Sequence, residues 1–115
     1  MRSLTVGELL GRVPVQAVPF EVLEDGRVVL LRPKFVDKRM AWLQRLLPRP
    51  EFRVRLDATG SFIWESLDGQ RTVADVCARV RERFGPEAEP VEERTVAFLH
   101  QLVSGKFALL TDRPA

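Results

Sequence analysis

Hydrophobic and polar positions change period several times along the chain, and each change marks an element. From residue 52 the pattern alternates, so that Phe52, Val54 and Leu56 share one face of a strand and Arg53 and Arg55 the other. Asp57 is an N-cap by residue type, and Phe62, Ile63, Trp64 and Leu67 form the apolar side of a short helix. Asp68-Gly69 ends that helix. Thr72 caps the next one, whose Val73, Val76, Cys77, Val80 and Phe84 fall at i, i+3, i+4, i+7 and i+11. After the loop GPEAEP comes a third helix. On it Val91, Thr95, Phe98 and Leu102 share a face, Val96, Leu99 and Val103 widen the stripe, and Gly105 is the stop. Residues 107–110 read as a short last strand or an extended tail.

Upstream of this unit, residues 1–11 suit a short helix, with Thr5 and Glu8 at capping-box spacing and Gly11 at its end. Pro14 and Pro19 exclude the following stretch from a central strand. Residues 20–24 and 27–32 flank Asp25-Gly26, a pair that favours a tight type I′ hairpin turn. Pro33, Pro48 and Pro50 then bracket DKRMAWLQRLL, an amphipathic helix that Asp37 would cap. Met40, Leu43 and Leu47 share one of its faces, and Lys38, Arg39 and Arg45 flank it. This segment reads either as a basic helix for a membrane surface or a partner, self-association included, or as an inserted helix lying over the sheet. The order predicts an α+β fold in a single domain over residues 1–115, with a three-stranded antiparallel sheet and a three-helix cluster. Residues 1–19 form an N-terminal extension, and 34–50 an insert carrying a short helix between the second and third strands.

Composition narrows the function. The 115 residues suffice for one core, and the net charge of +2 is too small to imply a nucleic-acid partner. Residues 1–60 hold 11 Lys/Arg against 7 Asp/Glu, and residues 61–115 hold 7 against 9. No apolar run approaches a membrane span, the first ten residues lack the pattern of a secretory signal, and the single cysteine permits no internal disulfide. These features lead us to expect a cytoplasmic protein. Cys77 lies on an apolar helix face and reads as a buried structural thiol, and His100 as a surface or boundary residue. No metal-ligand set, phosphate-binding loop or nucleophile motif occurs, so neither a metal nor a cofactor is expected. Glu87, Glu89, Glu92 and Glu93 surround the start of the third helix, where they suit its dipole and would repel phosphates. A winged-helix nucleic-acid binder is therefore the weaker alternative. An edge strand at residues 52–57 would offer a backbone ladder to an extended peptide, and Arg53 and Arg55 would favour an acidic one. Equally, those arginines are an ordinary solvated face that discourages aggregation.

The strings VVLLRP, FRVRLD, GSFIWESLDGQRTVADVCARVRERFG and VEERTVAFLHQL, taken in order and spacing, resemble the PqqD family over residues 20–110. The most specific parts are Leu56-Asp57, Ile63-Trp64, Asp68-Gly69, Thr72-Val73 and the run Phe98-Leu99 to Leu102. The resemblance implies a winged helix-turn-helix-like domain, the RiPP recognition element. Such a domain is not an enzyme. It binds the leader segment of a ribosomally made precursor peptide and presents it to a modifying enzyme, often a radical SAM protein. The leader adds beside the third strand and lies against the third helix. Carried onto this chain, the peptide-binding residues are Phe52, Arg53, Val54, Arg55 and Leu56 on the strand and Arg94, Phe98, Gln101 and Leu102 on the helix. Partners are then the precursor peptide and the modifying enzyme, with no membrane, with nucleic acid as the weaker alternative, and with a homodimer left open. The chain departs from the family pattern in its N-terminal extension and in the 34–50 insert, where quinone-pathway members join the two strands tightly.

Overall fold

The computed structural model describes residues 6–33 and 51–112. In chain order they form α1 (Val6–Leu10), β1 (Val13–Gln16), β2 (Phe20–Val22), β3 (Val28–Pro33), β4 (Glu51–Arg55), α2 (Ala58–Glu65), α3 (Val73–Phe84), a 3-10 turn (Gly85–Ala88), α4 (Val91–Ser104) and β5 (Ala108–Thr111). The helix expected around residues 37–47 and the Thr5 cap lie outside the described residues. The fold is α+β, with small antiparallel sheets and several helices.

One sheet has the order β2-β3-β4, with Leu30 opposite both Phe20 and Val54. Two-residue alternation points Val28 and Leu30 into the core and Val29 and Leu31 to the other face, where both are also buried. The β2–β3 hairpin is present, but its turn is not type I′. Gly26 alone takes positive φ (86°), Asp25 does not, and Gly26 N–H donates to Leu23 O at 2.9 Å. Leu23 and Arg27 close the ladder at 2.8 Å, which leaves a three-residue loop with glycine in the left-handed position. The Asp25 carboxylate accepts from Arg27 N–H instead of entering that region itself.

The end strand does not join this sheet. β5 pairs with β1 in a separate two-stranded ribbon, Val13 opposite Thr111 and Gln16 opposite Ala108. The residues read as an N-terminal extension thus supply a strand, and Val13 is 1% exposed. Pro14 is tolerated because a two-stranded ribbon has only edge strands. An Arg12–Asp112 ion pair and the Thr111 hydroxyl donating to Val13 O hold the ribbon end together.

Both expected caps form. The Asp57 carboxylate accepts from Gly60 N–H at 2.6 Å, and Thr72 makes a full capping box with Asp75. Helices α2, α3 and α4 enclose Trp64, which is fully buried, with Leu67, Val73, Val76, Val91 and Leu99 around it. Phe20 closes this cluster edge-on to the indole, with centroids 5.8 Å apart. At the far end Arg32 ties the sheet to α4. Its guanidinium donates to Gly105 O at 2.7 Å and lies 5.3 Å over the Phe107 ring. A Cβ at residue 105 would fall 2.7 Å from that ring, so the site takes glycine.

The junction from β4 to α2 settles an accounting problem in the backbone. Leu56 N–H is the last to reach β3, donating to Val28 O at 2.9 Å. The buried Val28 N–H would then have no strand partner, and the Ser61 hydroxyl accepts it at 2.8 Å. Ser61→Ala leaves that donor unsatisfied. It should cost about 1–3 kcal/mol, read as a lower urea midpoint at unchanged m-value.

Candidate functional site

β4 is an edge strand, with β3 its only neighbour among the described residues. Because successive backbone groups alternate, Val54 and Leu56 direct theirs to β3 and Arg53 and Arg55 turn theirs outward. The side chains alternate as expected: Val54 is half-buried, Leu56 is buried, and Arg53 and Arg55 are exposed. The Phe52 side chain lies outside the described residues. Arg53 is not held for an incoming acid, because its guanidinium donates to Glu21 of β2 at 2.8 Å. Arg55 has no ion pair among the described residues.

Past Arg55 the chain runs into a cleft of about 460 Å³. One wall is the start of α2, with Asp57 and Gly60, and the opposite wall is α4, with Arg94 and Phe98. Ile63, Val80 and Val91, all buried, form its apolar base. The Phe98 ring sits on Gly60, where an added Cβ would lie 3.2 Å from a ring carbon. Arg94 donates to Glu87 O at 3.3 Å across the rim. The structure therefore brings Arg94 and Phe98 together beyond the end of β4. Gln101 is exposed one turn further on and does not line the cleft. Leu56 and Leu102 are 7% and 4% exposed and belong to the core, so their side chains are committed inward and offer no surface for contact. Gly60 carries no sequence signal, whereas Glu87, noted above among the acids around the start of α4, also lines the cleft.

The acidic start of α4 is partly spoken for. Arg81 of α3 donates to Glu89 at 2.8 Å and to Glu92 at 2.6 Å. These bonds hold both carboxyls below the usual glutamate range and raise Arg81. His100 is exposed and Cys77 is buried. Burial pushes the Cys77 thiol up, against the opposing effect of a hydrogen bond with Thr95. Among the described residues no group of three or more His, Cys, Asp or Glu is placed to hold a metal ion. Nor, among them, is any helix long and apolar enough to cross a membrane.

In this small α+β domain an edge strand runs into a cleft between two helices. The chain belongs to the PqqD family: the model of that family, described as Coenzyme PQQ synthesis protein D (PqqD), matches residues 46–107, over half of the chain. Among curated proteins it is 40% identical over 50 residues to a PqqA binding protein of Azotobacter vinelandii, covering 44% of this chain and 53% of that one. It is 44% identical over 50 residues to a PqqA binding protein of Klebsiella pneumoniae, with the same coverage. A PqqA binding protein of Stutzerimonas stutzeri is 37% identical over 54 residues, covering 47% of this chain and 58% of its own. The chain thus spans about half the length of the curated relatives it matches. No solved structure matches.

Two outcomes follow from the local electrostatics. A carboxylate whose pKa is lower folded than unfolded stabilises the fold above its unfolded pKa and loses that contribution as pH falls through the folded value. Glu89 and Glu92 are of this kind, so Arg81→Ala should lower stability at pH 7 and flatten its decline below about pH 5, as followed by thermal melts across pH. Cys77, buried and with a raised pKa, should react with a thiol-specific disulfide reagent only in denaturant; fast labelling of the native protein at pH 7 would contradict its placement.

Proposed function

We propose that the chain binds the leader segment of a ribosomally made precursor peptide as a strand added to β4, and presents it to a modifying enzyme without contributing catalysis itself. The observation that carries this reading is the position of β4 at the sheet edge, its outward backbone groups leading directly to the Arg94–Phe98 side of α4. Membership in a family whose relatives bear the name PqqA binding protein supports a peptide of that role as the partner. The modifying enzyme is then of the radical SAM kind that the family resemblance implies. Strand addition explains why backbone, not a set of reactive side chains, forms the candidate site. Of the two strand arginines, Arg55 carries the preference for an acidic peptide, since Arg53 is engaged by Glu21.

Nucleic acid fits the same surface poorly. The 3-10 turn and the first turn of α4 present Glu87 and Glu93, both exposed, beside the Arg81-bound pair. Phosphates would meet repulsion there.

The test is capture of small peptides from a lysate of the source organism on tagged protein, read by mass spectrometry. Arg55→Pro is the second bait, because it removes an outward N–H while sparing the ladder to β3. A short encoded peptide should be enriched on the wild type and reduced at least about tenfold on the variant, given the value of lost main-chain bonds. Equal enrichment on both baits would overturn strand addition, and enrichment of nucleic acid would overturn the reading as a whole.

A further inference from the structure

The sheet has a second edge, and its chemistry differs from that of β4. Among the described residues β2 is flanked by β3 alone, and its three residues are all exposed. Phe20 and Val22 are 37% and 55% exposed and, with Leu109, are the large apolar side chains left at the surface among those residues. They stand opposite Leu30 and Val28, on the helix side of the sheet, so they carry the core face past its last strand. Their backbone groups point outward. Pro19 O accepts from Leu31 N–H at 3.0 Å and Leu23 N–H donates to Arg27 O at 2.8 Å, so by alternation Glu21 also bonds β3 while Phe20 and Val22 do not. Pro19 does not blunt this outward row, because the N–H it lacks would lie on the β3 side. The strand's single charge, Glu21, stands on the other face and already holds Arg53 at 2.8 Å.

We propose that β2 seats a second copy of this chain, paired antiparallel about a two-fold axis through Glu21. In that register Phe20 of each copy lies opposite Val22 of the other. Both residues have outward N–H and C=O groups, so each pair exchanges two hydrogen bonds, and the side chains form an apolar seam between the two cores. A two-fold contact needs a self-complementary surface, and an apolar residue on each side of a central one supplies it. Glu21 meets its counterpart on the outer face, where Arg53 offsets the repulsion within each copy. At β4 the same pairing sets Arg55 against Arg55, and Arg55 has no ion pair among the described residues. Charge also separates the two occupants. An acidic peptide is drawn to Arg55 at β4, whereas the outward residues of β2 are uncharged and suit an uncharged copy of themselves. The assembly is a six-stranded sheet with a β4 edge free at each end, and it does not depend on what β4 binds. Three residues per copy make a short contact, so the dimer forms only as concentration rises.

Sedimentation equilibrium of the full chain over a concentration series should show the mass rising from one copy toward two. Val22→Lys, at a side chain more than half exposed, places a cation opposite Phe20 of the second copy. It should raise the dimer dissociation constant about tenfold or more while keeping the melting temperature measured in dilute solution. Thiols read the register. Glu21→Cys sets two cysteines directly opposite in a non-hydrogen-bonded pair, with Cα atoms about 4.5 Å apart, inside the span of a disulfide. Oxidised glutathione should convert that variant to a covalent dimer. Asp25→Cys, at the exposed tip of the hairpin and far from the axis, should stay single, and Cys77 is buried in both. A mass that remains at one copy throughout the series would overturn the proposal. So would a Val22→Lys protein that dimerises as the wild type does, or equal cross-linking of the two cysteine variants. Peptide captured by the wild type should be captured equally by Val22→Lys; its loss there would make β2 the seat of the peptide instead of a second copy.

Discussion

The hydrogen bond from Val28 N–H to the Ser61 hydroxyl fixes where the sheet stops and the helices start. β4 leaves its partner at Leu56, and a buried donor on β3 is then orphaned unless the next element supplies an acceptor. Ser61 supplies it from the first turn of α2, and Asp57 caps the same turn. Both demands are met only if the helix leaves the strand within two residues and at one angle. That angle sets the direction of Trp64 into the core on one side of α2. One turn earlier on the same face it sets Gly60 against Phe98 of α4. The cleft is the space that remains between α2 and α4 once those contacts are made, so its shape derives from the same junction that ends the edge strand.

What the sequence revealed and what it hid divide by range. The caps at Asp57 and Thr72 were legible because a cap is decided within four residues. The buried face of α3 was legible because one helix with a narrow stripe has one way to turn inward. The β1–β5 ribbon was not, since its partners lie near opposite ends of the chain and Pro14 argues locally against a strand. The hairpin was foreseen and its turn was not. Asp-Gly serves a two-residue and a three-residue loop equally, and the choice rests on the register that puts Val22 opposite Val28. On α4 the apolar stripe is wide enough to hide the rotation of the helix. Only packing against α2 and α3 decides that Leu102 goes inward while Phe98 stays half-exposed at the cleft. The cleft itself had no sequence signal, because four separate segments contribute to it.

Charge follows the same logic of placement over composition. The chain is nearly neutral overall, yet its carboxylates and arginines are segregated. Arg81 draws Glu89 and Glu92 together, which binds the 3-10 turn to α3 and α4 and reduces mutual repulsion among the acids at the start of α4. The pairs are exposed and geometrically good, so they organise this corner more than they stabilise the whole. Glu87 is left over on the cleft rim, and its carboxylate is available to whatever enters.

An exposed edge strand is a template for pairing with a second copy of itself unless its side chains oppose it. Pairing two β4 edges antiparallel would bring the outward arginines of both copies close on one face, and like charges directly opposite are destabilising. Glu21 neutralises Arg53 within its own sheet but leaves Arg55 to oppose its counterpart. An acidic strand meets the reverse sign and loses nothing by approaching. Selectivity at such an edge would come from what the arginine repels as much as from what it attracts.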